Sequence, residues 1–365
     1  MFPSVAAVLT ATGCTTVPGL QMPSAATQPT YKNAAPPPVA IQEIDAGLVE
    51  AQQTVRTDAE RVVVQQLLGG GPSGYRIGRG DVLQIVVWDH PEFALGQGTQ
   101  PATQPRQADA PAGTIVDDAG NIQFPFVGQL RVEGLSTDAV KGLLSKRLAE
   151  YFNSPQVTVR IASFRSKQVF VDGEVHAPGV QQINDIPMTI MDAISRSGGF
   201  TADADQGRVL LTRGGQRYIV SISGLVAAGY DPSALFLRNR DLLRVPTRSE
   251  SGVYVMGEVA KPMTALPKPD GSLTLADALS QSGSFNLATS DPRQLYVVRR
   301  NTETKPAVFH LDARSPVAMV MAGQFGLKPG DVVYVGPTDL TIAYRVLSQL
   351  LPAIGAGLTG AVVAK

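Results

Sequence analysis

A chain of 365 residues is long enough for two or three domains of roughly 100 to 200 residues each, so a sizeable core is expected. Lys plus Arg and Asp plus Glu both number 31, which leaves no basic surplus of the kind a general nucleic-acid binder uses to attract phosphate; nucleic acid is not an expected partner. Glycine at 36, proline at 27 and 6% aromatics point to many turns and short strands, while one cysteine and three dispersed histidines (His90, His176 and His310) can build neither an intramolecular disulfide nor a metal cluster.

The chain opens on a short apolar run, "MFPSVAAVLTATG", with small Ala11, Thr12 and Gly13 just before Cys14 and a polar, Pro-rich stretch after it. The pattern resembles the end of a bacterial lipoprotein signal peptide, whose Cys becomes the lipidated first residue after cleavage. Residues 1–14 are therefore expected to be a signal and Cys14 a lipidation site; the alternative is a stray small residue. Two departures stand out: Ala11 occupies the position where that pattern has Leu, and no basic residue precedes Lys32, whereas a secretory signal begins with a positive region. Residues 15–73, rich in Pro, Ala, Gln and Gly, read as a tether with a short helix over 49–68.

The folded body is expected from residue 74. "YRIGRGDVLQIVVWDHPEF" carries a turn at Gly78 to Asp81 and then a strand over Val82 to Trp88. A polar, Pro-rich loop follows, and "DAGN" reads as a hairpin turn. Ser136 is a plausible N-cap for a helix on which Val140, Leu143, Leu144, Leu148 and Tyr151 recur at helical spacing; "SPQVTVRIASF" then returns to strand, with Val157, Val159 and Ile161 on one face. Residues 74–166 thus form one α+β unit.

The next 170 or so residues repeat. "VFVDGEVHAPG" from Val169 realigns with "VYVMGEVAKPM" from Val253, an offset of 84 residues. "MTIMDAISRSGGF" realigns with "LTLADALSQSGSF" at Asp192 and Asp277, "RVLLTR" with "LYVVRR" at Arg213 and Arg300, and "LRNRDLLRVP" with "LKPGDVVYVG" at Asp241 and Asp331. Four blocks in one order, with offsets growing through loop insertions, mark a duplicated domain, here residues 167–248 and 249–337. Each copy reads as strand, Gly turn, strand, short helix (Asp192 to Ser197; Asp277 to Ser282), strand, strand, a small mixed-sheet unit of β-grasp type. The early "GDV" at Gly80 to Val82 suggests that this strand completes one of the later sheets.

Residues 338–365 predict a helix of about 25 residues, roughly 37 Å long and enough to cross a hydrocarbon core of about 30 Å. Projected at 100° per residue, Leu340, Ala343, Leu347, Leu350, Leu351, Ile354, Leu358 and Ala361 share one face. Thr341, Arg345, Ser348, Gln349, Pro352, Thr359 and neighbouring small residues share the other. A ring of such helices would set the leucines toward lipid and the polar stripe toward a wet lumen, since Arg345 is costly in lipid alone. Two other readings remain: leucines packed on the soluble body, or a helix lying on the membrane surface.

Together these segments resemble the Wza-like outer-membrane polysaccharide export family. "YRIGRGDVLQIVVWDHPE", "GNIQFPFVGQLRVEGL" and "SPQVTVRIASFRS" are similar to its export domain, the two "GEV" copies to its β-grasp domains, "RVLSQLLPAIGAG" to the start of its transmembrane helix and "GCTTVPG" to its lipidated N-terminus. The resemblance implies an α+β fold of small mixed-sheet domains, one export domain and two β-grasp repeats, followed by a C-terminal amphipathic transmembrane helix. It also implies a homo-oligomeric ring, commonly an octamer, lipid-anchored in the outer membrane with most of the chain in the periplasm. Capsular polysaccharide or exopolysaccharide would pass through it, and an inner-membrane polysaccharide co-polymerase would contact its periplasmic end. The pore lining would be Thr341, Arg345, Ser348, Gln349, Pro352 and Thr359, and the lipid face Leu347, Leu350, Ile354 and Leu358. The reading from another class is a periplasmic glycan-binding or adapter lipoprotein that forms no pore.

No catalytic residue and no cofactor is expected. Asp117 and Asp118 sit together in a turn, whereas a glycosidase holds two carboxylates about 5 to 10 Å apart across a cleft. "GGGPSG" lacks the Lys and Ser or Thr of a phosphate-binding loop, and His90 has no second ligand at metal spacing. Arg79, Gly80 and Asp81 spell an adhesion tripeptide, but the "GD" recurs at Asp331, which favours a turn. Glu174 and Glu258, repeated in "GEV", read equally as ligand-binding or as structural positions.

Overall fold

A computed structural model describes residues 41–68, 71, 74–90, 93, 113–300, 306–345 and 348. They divide into two compact units, one built from Gln53–Ser251 with Pro267–Ser272 and the other from the rest of the described chain.

In the first unit, β2 (Val82–Val87) pairs antiparallel with both β3 (Thr114–Ile115) and β6 (Val157–Ser163). The expectation that this early strand completes a later sheet is therefore wrong: its apolar residues are satisfied locally. Beside this sheet lies the hairpin of β4 (Asn121–Phe124) and β5 (Gly128–Arg131). The turn at "DAGN" forms, with the Asp117 carboxylate accepting from the Ala119 and Asn121 amides, but the strands flanking it belong to different sheets. Helix α2 (Thr137–Leu148, after α1 at Ala46–Leu68) is capped by Ser136, which accepts from the Ala139 amide. Its buried stripe is Val140, Leu144 and Leu148, one residue every turn, whereas Leu143 and Tyr151 are exposed, against the sequence reading.

The first repeat has the sheet order β10-β9-β11-β7-β8, from β7 (Gln168–Gly173), β8 (Gly179–Gln182), β9 (Val209–Arg213), β10 (Gln216–Val220) and β11 (Leu242–Val245). Strands β7 and β11 run parallel and the other pairs antiparallel. Helices α3 (Ile190–Arg196) and α4 (Ile222–Ala227) supply Ile190, Ile194 and Leu225 to the core over it. The second unit repeats the plan with β12 (Val253–Gly257), β13 (Met263–Ala265), β14 (Ser290–Arg299), β15 (Ala307–Leu311) and β16 (Val332–Pro337), and with α5 (Leu275–Gln281) and α6 (Pro316–Gln324). Each copy thus has five strands and two helices, one strand and one helix more than the sequence reading allowed.

Both first helices start two residues earlier than expected because Thr189 and Thr274 close capping boxes with Asp192 and Asp277. The sheet registers also correct the alignment: Leu211 faces Leu243 as Val297 faces Val333, so Arg213 corresponds to Arg299, not to Arg300. Side-chain chemistry agrees. Arg213 grips Asp241, and donates to the Phe236 carbonyl, as Arg299 grips Asp331 and donates to the Gly326 carbonyl.

Within the stretch read as a tether, residues 41–68 hold a strand and a helix. Strand β1 (Ile41–Glu43) adds parallel to β15 as the outer strand of the second repeat, and α1 (Ala46–Leu68) follows. Ile44 and Val49 are buried in the core of that unit, and His310 sits between the Glu43 carboxylate, 2.8 Å from Nδ1, and the Arg293 carbonyl, 2.6 Å from Nε2. Among the described residues no helix is long and apolar enough to cross a membrane. The span expected over 338–365 lies mostly outside the described residues.

Candidate functional site at the root of the C-terminal helix

Helix α7 (residues 339–345) leaves directly from β16. Thr338 is its cap: the hydroxyl accepts from the Thr341 amide at 3.1 Å, and the Thr338 carbonyl accepts from the Ile342 amide. The Thr289 carbonyl receives both the Thr338 amide, at 2.9 Å, and the Thr341 hydroxyl, at 3.1 Å. Two bonds from one loop therefore fix the direction in which the helix departs.

One turn later Arg345 donates from Nη2 to Glu258 Oε1 at 2.6 Å. Glu258 is held by its backbone. Gly257 has φ +92°, and a Cβ there would stand 2.1 Å from the Val335 carbonyl oxygen, so only glycine allows β12 to approach β16 this closely. The same carbonyl accepts from the Glu258 amide at 2.9 Å. The first repeat is built alike: Gly173 has φ +88°, and the Glu174 amide donates to the Val245 carbonyl at 2.8 Å.

The two carboxylates then part ways. Glu174 takes the Thr201 hydroxyl. At the corresponding place in the second repeat stands Asn286, which likewise donates its backbone amide to the Glu carbonyl but spends its side-chain oxygen on the Ala288 amide. Glu258, 13% exposed, is thereby left for Arg345. Of the two readings of "GEV", both glutamates occupy structural positions, and Glu258 alone also holds the helix. Burial, with the Glu258 charge adding to it, pushes the neighbouring Tyr334 phenol up.

The root docks by its polar face. Thr341 is buried, whereas Leu340 is 79% and Tyr344 68% exposed, so the apolar side at this first turn points away from the body. Ser348 is exposed and donates to the Arg345 carbonyl. Gln349, Pro352, Thr359, Leu347, Leu350, Ile354, Leu358 and Cys14 lie outside the described residues.

The other candidates resolve into structure. Asp81 is fully buried and accepts five hydrogen bonds, from the amides of Gly78, Arg165 and Ser166 and the hydroxyls of Tyr75 and Ser166. Its carboxylate cannot be presented to an adhesion receptor. Asp117 is occupied by its own turn, as above. Among the described residues no group of three or more His, Cys, Asp or Glu could hold a metal ion.

Residues 70–162 match the family described as polysaccharide biosynthesis/export protein, and residues 167–245 and 251–335 each match the SLBB domain. The chain is 40% identical over 363 residues to the EPS I polysaccharide export outer membrane protein EpsA of Ralstonia nicotianae, covering 96% of this chain and 94% of that one. It is 28% identical to the capsule polysaccharide export protein BexD of Haemophilus influenzae, over 83% of this chain and 81% of that one. The capsule polysaccharide export outer membrane protein CtrA of Neisseria meningitidis is 25% identical, over 87% and 86%. With an export-domain match followed by two SLBB matches, and that identity along almost its whole length, this chain belongs to the polysaccharide biosynthesis/export family.

Proposed function

We propose that this protein is a subunit of a passive outer-membrane conduit that carries exopolysaccharide or capsular polysaccharide from the periplasm to the cell surface. The names of the relatives support export at the outer membrane. Membership of a family of conduits supports transport without covalent chemistry. The finer reading adds a homo-oligomeric ring, an octamer, anchored by lipid at Cys14 and fed by an inner-membrane polysaccharide co-polymerase. In the membrane segment Ser348, Gln349, Pro352 and Thr359 face the lumen, with Leu347, Leu350, Ile354 and Leu358 toward lipid. Thr341 and Arg345 begin the same stripe, where the second repeat engages them.

One observation carries this reading. A terminal helix whose leucines packed on the soluble body would bury its apolar side, yet the root is clasped by Thr341 and Arg345 while Leu340 and Tyr344 are exposed. An apolar face that starts outward, and that the sequence pattern expects to continue through Leu347, Leu350, Ile354 and Leu358, needs lipid or other copies of the helix to cover it. The test is truncation after Pro337. The shortened protein should reach the periplasm folded while surface polymer disappears; undiminished surface polymer would refute the conduit role of the helix.

A further inference from the structure

A cleft of about 200 Å³ opens in the first unit where the end of the export domain meets the first repeat. Tyr75 forms one wall. Its hydroxyl donates to the Asp81 carboxylate at 2.9 Å, and its ring packs edge-on to Phe164. The ammonium of Lys167 lies 4.4 Å from the centre of that ring. Arg238 and Asn239 also line it, in a loop tied down by the Arg238 amide donating to Asp241 at 2.7 Å. Asn184, exposed Asp185, buried Met188 and Phe236 complete the lining.

The cations in this cleft make no close ion pair. Among the described residues neither Lys167 nor Arg238 has a carboxylate within ion-pair distance, unlike Arg213 and Arg299, which are paired. Burial, with the Arg76 charge adding to it and Asp81 opposing, pushes Lys167 below its ordinary value. A half-desolvated ammonium facing a cavity is favoured by an anion that enters it. Asn184 and Asn239 use their side-chain oxygens on the Ile186 and Gln168 amides, and among the described residues neither Nδ2 group has an acceptor. A rigid wall, two unpaired cations and two unused amide donors match a ring that carries hydroxyls and a carboxylate.

We propose that this cleft holds one carboxylate-bearing sugar residue of the exported polymer, its carboxylate placed between Lys167 and Arg238 and its hydroxyls at Asn184 and Asn239. The proposal rests on the export reading and adds the class of polymer, an acidic glycan. Exposed Asp185 accepts from sugar hydroxyls and limits the affinity for the charge. Weak binding suits the task, because a passing polymer must be able to enter a site and leave it.

The test is calorimetric titration of the detergent-purified full chain with trigalacturonate and, in parallel, with neutral maltotriose. Trigalacturonate should bind at least about tenfold tighter than maltotriose, and the preference should shrink as salt rises. Lys167→Gln should abolish the preference, and Lys167→Arg, which keeps the charge, should retain much of it with the same melting temperature. Equal binding of the two trisaccharides, no binding of trigalacturonate, or unchanged affinity in Lys167→Gln would overturn the proposal. So would full competition by an equal concentration of inorganic phosphate, which would mark a general anion site. Export in cells is measured separately, so a failed titration beside intact export sinks this inference alone.

Discussion

Replacing Arg299 by Met should weaken the second repeat far more than removing an arginine from an exposed ion pair. Arg299 is bound to Asp331 through Nε at 3.1 Å and Nη2 at 2.7 Å, and to the Gly326 carbonyl at 3.0 Å; the two side chains are 10% and 2% exposed. Without the guanidinium, the Asp331 carboxylate stays buried with only the Lys328 amide, at 2.8 Å, and the Gly326 carbonyl loses its side-chain donor. Stranding a buried charge costs about 3–5 kcal/mol. The Arg314–Asp312 pair is equally short at 2.6 Å, but its side chains are 65% and 41% exposed, so neither charge is stranded in the interior when Arg314 becomes Ala, and the loss should be small. Hydrogen exchange of the β16 amides, read by mass spectrometry, reports the difference as local opening. Arg299→Met should speed exchange by roughly two to four orders of magnitude, with Arg314→Ala within about fivefold of wild type. Adding Asp331→Asn to Arg299→Met should recover part of the loss, since a neutral amide still accepts from Lys328. If the two arginine variants exchange alike, burial is not what makes the twin Arg–Asp pairs matter.

The Arg345–Glu258 clasp should be separable from overall folding. Arg345→Glu should reduce surface polymer at unchanged protein level, and adding Glu258→Arg should restore part of it; equal export in all three strains would show that the clasp does not set the helix direction. Gly257→Ala should destabilise the β12–β16 pairing by about 1–3 kcal/mol, from the left-handed φ and the Cβ 2.1 Å from Val335 O, seen as a lower urea midpoint. The Arg314 guanidinium holds the exposed Asp312 carboxyl down at about 2. A lowered carboxylate contributes stability above its ordinary 3.8 that is lost as pH falls toward 2, so the Asp312 carboxyl resonance should titrate near 2 and move back toward 3.8 in Arg314→Ala.

The duplication was legible because β-grasp strands and helix caps are local in sequence. The Thr189 and Thr274 capping boxes could also have been read, since each Thr stands three residues before its Asp. Two features were not legible for physical reasons. Strand β1 is three residues long with every side chain exposed, so it carries no periodicity; its partner β15 lies more than 260 residues away. The Arg213–Arg299 correspondence was masked by Arg300 next door, because β14 has no side-chain rule that says which of two adjacent arginines turns inward until its register with β16 is fixed. The site followed the same division. "GEV" marked the glutamates, but their different partners depend on Thr201 against Asn286, and on a helix that returns to Glu258 from 87 residues away.

Quantifying polymer at the cell surface in a strain deleted for this chain, with and without the full-length gene supplied in trans, tests export most directly. Surface polymer should be lost on deletion while polymer accumulates inside the cell envelope, and it should return with the full-length chain. Normal surface polymer in the deleted strain would contradict export as the function of this protein.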